Sequence, residues 1–260
     1  MRAILGFLLI IAPTFFSNEI RANEPAVPPK RPNLIFLMTD NQRWDALGCY
    51  GNSIIQTPNI DRLAAQGLRF TNAFCTTSIC AATRASIFTG QYRRTHGYSF
   101  EKPPMTITAM RKTYPAVLKK AGYRTGFVGK IGVRLNRGTA EEMFDFFRFN
   151  QASDTNQPYY RKSPDGTIKH LTRINGDQAV DFLRSSIAKQ PFCLSVSFSA
   201  PHPEDDNVRQ YIYDRELEHL YRGVTIPPPP VSEPQHFEQL PEFLRVSMNR
   251  QRWFRRFDTS

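Results

Sequence analysis

Residues 33–41 have the sequence NLIFLMTDN, a run of six mainly apolar residues followed at once by three polar ones. A short apolar run of this kind is typical of a strand that is buried on both faces of a parallel sheet. Similar runs recur at residues 124–128 and 192–198. We therefore predict three strands of one parallel sheet.

Helix signals separate the predicted strands. Pro58 and Gly67 frame one helix, because proline is favoured at the first helical position and glycine after the last. Its apolar face is formed by Ile60, Leu63 and Ala64. Further helices are predicted at residues 81–89, 115–121 and 177–188, and a strand or extended chain at residues 68–74. This alternation indicates an α/β domain, a layered sandwich with a mostly parallel central sheet.

The composition is that of a basic globular chain. Its 260 residues are 40% hydrophobic, which supports a packed core and excludes a chain that is disordered throughout. The 34 Lys and Arg residues outnumber the 23 Asp and Glu residues, and the net charge of +11 favours anionic partners.

The N-terminal segment is predicted to direct export. A basic residue precedes the apolar residues 3–16, and Ala22 suits a cleavage site, so residues 1–22 are predicted to be a secretory signal peptide. Residues 23–32 contain four prolines and are predicted to be an exposed leader. We expect a periplasmic or extracellular protein, with a folded domain over residues 33–260 and no stable membrane span after signal cleavage.

Polar side chains follow each predicted strand. Asp40 and Asn41 follow the first strand, Lys130 follows the second, and His202 follows the third. The carboxyl ends of parallel strands meet at one edge of a sheet, so these groups are expected to lie together. The oxygens of Asp40 and Asn41 suit Ca²⁺ or Mg²⁺. Lys130 and His202 suit an anionic substrate and proton transfer to its leaving group.

Residues 78–90, SICAATRASIFTG, place a cysteine at a predicted helix start. Free backbone amides and the helix dipole favour negative charge at Cys80, and Arg84 lies one turn further on the same face. The other cysteines are Cys49, Cys75 and Cys193. Export permits two disulfides. Local chemistry leaves open whether Cys80 is reactive, is half of a disulfide or is a small core residue.

These segments resemble the sulfatase family of the alkaline-phosphatase-like superfamily. The family signature is Cys or Ser, any residue, Pro, any residue and Arg, followed by an apolar stretch and Thr-Gly, and residues 80–90 read CAATRASIFTG. Four further blocks occur in the family's order: residues 31–51, 57–74, 122–130 and 200–203. The resemblance implies an alkaline-phosphatase-like fold, with residues 33–260 as the N-terminal part of a sulfatase-like catalytic domain.

The resemblance also implies the chemistry. Cys80 would be oxidised after translation to Cα-formylglycine by a formylglycine-generating or equivalent maturation enzyme. Its hydrated form, a geminal diol, would attack the sulfur of a sulfate ester, with Arg84 acidifying the attacking hydroxyl. Lys130 and His202 would hold the sulfate and assist the leaving oxygen.

The implied cation is Ca²⁺, with Mg²⁺ as the alternative, held by Asp40, Asn41 and the modified Cys80. Asn41 replaces the more usual Asp, which lowers the negative charge of the site by one. The family takes further ligands from later strands, and the sequence after His202 contains no matching block. The chain also stops at Ser260 directly after a basic aromatic stretch, so we predict a C-terminally truncated domain whose activity is in question.

Two further departures affect the site. Ala82 replaces the signature proline, which bears on recognition by the maturation enzyme. The block usually read as GKWH ends here in Gly132, so the histidine that takes a proton from the diol is absent. His170, which precedes a predicted helix, is the candidate replacement base.

Three functions compete. The first is a sulfuric ester hydrolase acting on a sulfated glycan, since residues 90–100 resemble bacterial enzymes of that kind. The second is a phosphomonoester or phosphonate hydrolase of the same superfamily. The third is a non-catalytic protein that binds sulfated glycans through its C-terminal arginines, which are Arg245, Arg250, Arg252, Arg255 and Arg256. Nucleic-acid binding is disfavoured by export and by the lack of a recognisable module.

Overall fold

A computed structural model describes residues 31–100, 103–152, 156–163, 165–186, 190–228 and 233–247 of the chain. Apart from Arg31, these residues belong to a compact unit that runs from Pro32 to Ser260. The predicted signal peptide, nearly all of the predicted leader and four of the five C-terminal arginines lie outside the described residues. Within the described part of the chain, no helix is long and apolar enough to cross a bilayer.

Four parallel strands form the central sheet, and a separate two-stranded antiparallel hairpin lies outside it. In chain order the strands are β1 (Leu34–Met38), β2 (Arg124–Gly129), β3 (Phe146–Phe149), the hairpin strands β4 (Tyr160–Lys162) and β5 (Ile168–His170), and β6 (Phe192–Ser197). The order across the sheet is β1-β6-β2-β3. The three predicted strands and their parallel arrangement are confirmed, whereas the short β3 and the hairpin were not predicted.

Helices connect these strands. They are α1 (Pro58–Gln66), α2 (Cys80–Thr89), α3 (Arg93–His96), α4 (Ile107–Met110), α5 (Tyr114–Lys120), α6 (Thr139–Met143), α7 (Leu171–Ser186), α8 (Pro234–Glu238) and α9 (Glu242–Arg245). The four predicted helices are confirmed. Helix α2 ends where Gly90 adopts a left-handed φ of 67°, as the sequence predicts. Helix α7 begins six residues before the predicted start at residue 177.

The core lies on both faces of the two central strands, β2 and β6. On one face Phe127 packs with Phe88 of α2, Met110 of α4 and residues of α5 and α6. On the other face Val128 packs with Leu194 and with Phe182 of α7. Because neighbouring residues of a strand point to opposite faces, Phe127 and Val128 lie in separate apolar layers. The result is the layered sandwich that the sequence predicts.

Strand β1 differs from its prediction. It lies at one end of the sheet, beside β6, and its residues 34–37 are 37–57% exposed rather than buried on both faces. The apolar residues Ile60 and Leu63 of α1 are also exposed, and residues 68–74 form no strand. An edge strand has a neighbour on one side only, so its apolar composition alone does not bury it.

Candidate functional site

Three loops meet at the carboxyl edge of the sheet because the strands that precede them are in register. Met38, Gly129 and Ser197 are adjacent positions on β1, β2 and β6. The backbone N–H of Lys130 donates to the carbonyl of Ser197 (2.8 Å). The N–H of Asp40 donates to the carbonyl of Ala200 (3.2 Å). These bonds bring the first polar residues after each strand together, as predicted.

Asp40 is the centre of a buried charge cluster. Its Oδ2 atom lies 2.6 Å from Nζ of Lys130 and 3.2 Å from Nη2 of Arg84. All three side chains are at most 6% exposed. Attraction between opposite charges at these distances is strong away from water, so the Asp40 carboxylate holds both cations in place. The cluster carries two positive charges and one negative charge.

Arg84 crosses from α2 to the strand ends. Its Nη1 atom donates to the carbonyl oxygen of Lys130 (2.6 Å) and to the hydroxyl of Ser197. Burial lowers the pKa of the Arg84 guanidinium below its ordinary value, and the carboxylate of Asp40 opposes this shift. Arg84 therefore ties the ends of β1, β2 and β6 to the start of α2.

A cavity of about 710 Å³ opens beside this cluster. Cys80, Lys130 and His202 all line it, so the structure brings together three of the four predicted catalytic residues at one surface. The fourth, Arg84, does not line the cavity but donates a hydrogen bond to the carbonyl oxygen of Lys130. The other lining residues are mainly aromatic or apolar: Tyr98, Phe100, Pro104, Ile131, Gly132, Val133, Arg134, Leu135, Phe147, Phe149, Gln151 and Asp205. The aromatic wall gives the cavity room for an organic group larger than sulfate.

Cys80 is the first residue of α2 and is partly exposed. The four backbone N–H groups at a helix start have no partners within the helix, so this end carries partial positive charge. All four cysteines of the chain are among the described residues, and each is a free thiol. The structure therefore contradicts the alternative in which the four cysteines form two disulfides.

His202 is held in a defined orientation. Its Nδ1 atom lies 2.6 Å from the carbonyl oxygen of Pro203, so Nδ1 carries the proton and Nε2 keeps the lone pair. Burial lowers the pKa of the imidazole, and the nearby positive charge of Lys130 lowers it further. His202 therefore favours the neutral form more than an ordinary histidine does.

His170, the candidate replacement base, lies in a different place. Its ring stacks on Tyr159 with the centroids 5.0 Å apart. Nε2 donates to the carbonyl of Ile212 (3.1 Å), and Nδ1 accepts from the N–H of Thr172 (3.3 Å). His170 is buried and does not line the cavity with Cys80. The structure therefore offers His202, rather than His170, as the imidazole beside Cys80.

The donors that the sequence proposes for a cation are oxygen atoms, and they are few in number. Asp40 and Asn41 offer hard oxygen ligands, and Asn41 is exposed with a left-handed φ of 62°. Among the described residues, no group of three or more His, Cys, Asp or Glu side chains is placed to hold a metal ion. Ca²⁺ takes six to eight oxygens, so Asp40 and Asn41 supply part of such a set.

Sequence reasoning missed Ser197 and Asp205. Ser197 is 3% exposed and accepts from Arg84, and its position as a polar residue at the end of an apolar strand was the available signal. Asp205 lines the cavity three residues after His202. The aromatic residues Phe147 and Phe149 were missed because β3 was not predicted.

Comparison with known proteins relates the chain to one family. The model of the family described as Sulfatase matches residues 32–219, which include every predicted catalytic and metal-binding residue. N-acetylglucosamine-6-O-sulfatase of Bacteroides thetaiotaomicron is 34% identical over 187 residues, covering 70% of this chain and 32% of that protein. An ulvan-active sulfatase of Formosa agariphila is 29% identical over 214 residues, covering 77% of this chain and 42% of that protein.

A solved structure of a protein in complex with its substrate, D-glucosamine-2-N,6-O-disulfate, has a TM-score of 0.61 with this chain at 28% identity. That match covers 78% of this chain and 40% of the other. The chain thus matches only 32–42% of the length of these relatives.

Proposed function

Because the chain belongs to the sulfatase family, we propose that it is an exported sulfuric ester hydrolase that removes sulfate from a sulfated glycan. The observation that carries this proposal is the cluster of Asp40, Arg84 and Lys130 beside Cys80. Two buried cations share a single carboxylate, so positive charge is in excess where the cavity begins. A compact anion such as sulfate is the ligand that this excess attracts.

Cys80 is proposed to provide the nucleophile. It lies at the positive end of α2, where a negatively charged attacking group is stabilised. Conversion of its thiol to Cα-formylglycine by a maturation enzyme would supply an oxygen nucleophile at this position. The thiol is free and partly exposed, so it is accessible to such an enzyme.

Lys130 and Arg84 are proposed to stabilise the sulfate. Lys130 lines the cavity, and its ammonium group binds a sulfate oxygen as negative charge moves onto the leaving group. Arg84 adds a second positive charge and fixes Lys130 through its carbonyl oxygen. Both side chains are held by hydrogen bonds before substrate arrives, so little reorganisation is needed in the transition state.

His202 is proposed to carry the proton. The bond from Nδ1 to Pro203 keeps the lone pair on Nε2, and the lowered pKa keeps the ring neutral near pH 7. Nε2 accepts the proton of the attacking hydroxyl, and the ammonium of Lys130 assists the leaving oxygen. His202 would thus take the proton of the diol in place of the family's histidine, whose position is occupied by Gly132 in this chain.

Asp40, Asn41 and the modified Cys80 are proposed to hold Ca²⁺, or Mg²⁺, together with further oxygen ligands. A bound cation would supply positive charge opposite the sulfate oxygens. The Asp40 carboxylate already contacts Lys130 and Arg84, so Asp40 has to share its oxygens between these side chains and the cation.

The test is a sulfate-release assay on the full chain, produced with and without a formylglycine-generating enzyme. The substrate is 6-O-sulfated N-acetylglucosamine, chosen because a related protein is an N-acetylglucosamine-6-O-sulfatase. Mass spectrometry of the peptide that contains Cys80 measures the conversion of thiol to aldehyde. We expect sulfate release only from the converted protein, and none from Cys80→Ala. The exposed Cys75→Ala variant is the matched control and should retain activity.

Other outcomes separate the alternatives. Release of phosphate from an aryl phosphate by unconverted protein, without sulfate release, would favour the phosphomonoester or phosphonate hydrolase. Salt-sensitive retention on a heparin matrix by a chain that releases no sulfate after conversion would favour a glycan-binding protein. Either result would overturn the proposed sulfatase activity.

A further inference from the structure

Gly132 lies against Arg84 so closely that a side chain there would collide with it. A Cβ atom placed on Gly132 would overlap Cδ of Arg84 and would lie 2.8 Å from Nε. Cores are packed near crystal density, so an overlap of this size has to be relieved by moving one of the groups. Gly132 also has a left-handed φ of 67°.

Arg84 has little freedom to move away. Its side chain is 3% exposed and is held by bonds to Asp40, Lys130 and Ser197. Its Nε atom is buried and finds no hydrogen-bond partner within the described part of the chain, so the Nη atoms alone hold the guanidinium. A displacement at Cδ would therefore pull the guanidinium away from the three strand ends.

Backbone conformation by itself does not account for the collision. Gly97 has the same φ of 67°, and a Cβ atom placed on it would meet nothing within 4 Å. The two glycines share the left-handed strain that a side chain would introduce. They differ in their surroundings, because the Arg84 side chain lies against Gly132 and no atom lies within 4 Å of a Cβ placed on Gly97.

We infer that Gly132 is a positioning residue for Arg84. Because position 132 has no side chain, there is space for Arg84 to extend to Asp40, the carbonyl of Lys130 and the hydroxyl of Ser197. The inference rests on the proposed function in one respect, namely that the guanidinium placed in this way serves sulfate binding.

The first test is a double-mutant cycle on the full chain, read by thermal unfolding. We expect Gly132→Ala to lower Tm by about 5 °C more than Gly97→Ala, because both add left-handed strain and only the first adds an overlap. In the Arg84→Ala background, the added cost of Gly132→Ala should fall to that of Gly97→Ala. Equal costs with and without Arg84 would overturn the inference.

The same set of variants still tests the inference if Gly132→Ala fails to fold. If Gly132→Ala does not fold, the Arg84→Ala/Gly132→Ala double variant should fold, because the colliding side chain is gone. Failure of the double variant while Arg84→Ala folds would show that the damage at position 132 does not act through Arg84, and would overturn the inference.

The second test is a readout that a merely structural role would not change. Inorganic sulfate that binds the native state raises Tm. The wild-type chain and Gly97→Ala should show this rise, whereas Gly132→Ala should lose most of it. A full sulfate response in Gly132→Ala would overturn the positioning role. A wild-type chain without any response would instead contradict the proposed anion site, and the thermal cycle would still decide whether Gly132 acts on Arg84.

Discussion

Nζ of Lys130 lies 2.6 Å from Oδ2 of Asp40, and both side chains are almost completely buried. Nη2 of Arg84 lies 3.2 Å from the same carboxylate oxygen. Asp40 is thus the shared counter-ion of the two cations that are proposed to bind sulfate. Its removal would leave both positive charges buried without an opposite charge.

The variant Asp40→Asn should therefore destabilise the protein strongly. Removing one partner of a buried ion pair typically costs about 3–5 kcal/mol of unfolding free energy, because the remaining charge stays desolvated. Chemical denaturation of the purified chain measures this loss. Asp181→Asn is the control, since Asp181 is 68% exposed and lies 4.0 Å from its partner Arg184. A midpoint for Asp40→Asn equal to that of the control would contradict the importance of the buried cluster.

The variant Cys80→Ser should separate turnover from anion binding. When the chain is produced with a formylglycine-generating enzyme that oxidises only thiols, a serine at position 80 stays unconverted, so sulfate release should fall roughly 10³-fold or more. Lys130 and Arg84 are unchanged in this variant, so inorganic sulfate should still raise Tm. If Cys80→Ser released sulfate at the wild-type rate, Cys80 would not be the nucleophile.

The buried His170 should make stability depend on pH. Burial lowers the pKa of its imidazole, although the carbonyl of Ile212 and the charge of Asp214 oppose the shift. The unfolded chain then binds the proton more readily than the folded chain does. The stabilisation is present above the ordinary histidine pKa and is lost as the pH falls through the lowered pKa. We expect Tm to decrease between about pH 7.5 and pH 5.

The variant His170→Phe keeps a ring beside Tyr159 and cannot be protonated. Its Tm should depend less steeply on pH than that of the wild type, even if its absolute Tm is lower. The control is His219→Gln, because His219 is exposed. An unchanged slope in His170→Phe would exclude His170 as the source of the pH dependence.

The edge strand β1 should promote self-association. Its Leu37 side chain is 57% exposed, and its Ile35 side chain is 53% exposed. Exposed apolar edge strands pair with other chains, and a lysine on the edge opposes this pairing. We expect Leu37→Lys to reduce the light scattering of concentrated protein, whereas a charge on the exposed hairpin residue Ile168, in Ile168→Lys, should reduce it less. Equal scattering by wild type and Leu37→Lys would show that β1 is not the associating surface.

Much of the fold follows from short-range sequence signals. The apolar run before Asp40 predicts a strand, and Pro58 and Gly90 mark helix boundaries that the structure confirms. These signals work because they depend on backbone conformation and on the pattern of apolar residues along a few turns. The short strand β3 was missed because four residues are too few to show a period.

Burial was harder to predict than secondary structure. Residues 34–37 are as apolar as the central strand β6, yet they are partly exposed because β1 lies at the edge of the sheet. The position of His170 was wrong for a similar reason. His170 precedes a predicted helix in the sequence, and only the course of the chain decides that it does not reach the cavity.

The sequence by itself determined which chemical groups the protein can bring to a site: a cysteine at a helix start, an arginine one turn later, and an acid, a lysine and a histidine after three strands. It determined these because they depend on residue type and local spacing. Only the tertiary structure decided that Lys130 and Arg84 share Asp40, that Ser197 holds Arg84, and that Gly132 lies against Arg84. Those relations join residues far apart in the chain, and they arise from strand register and close packing.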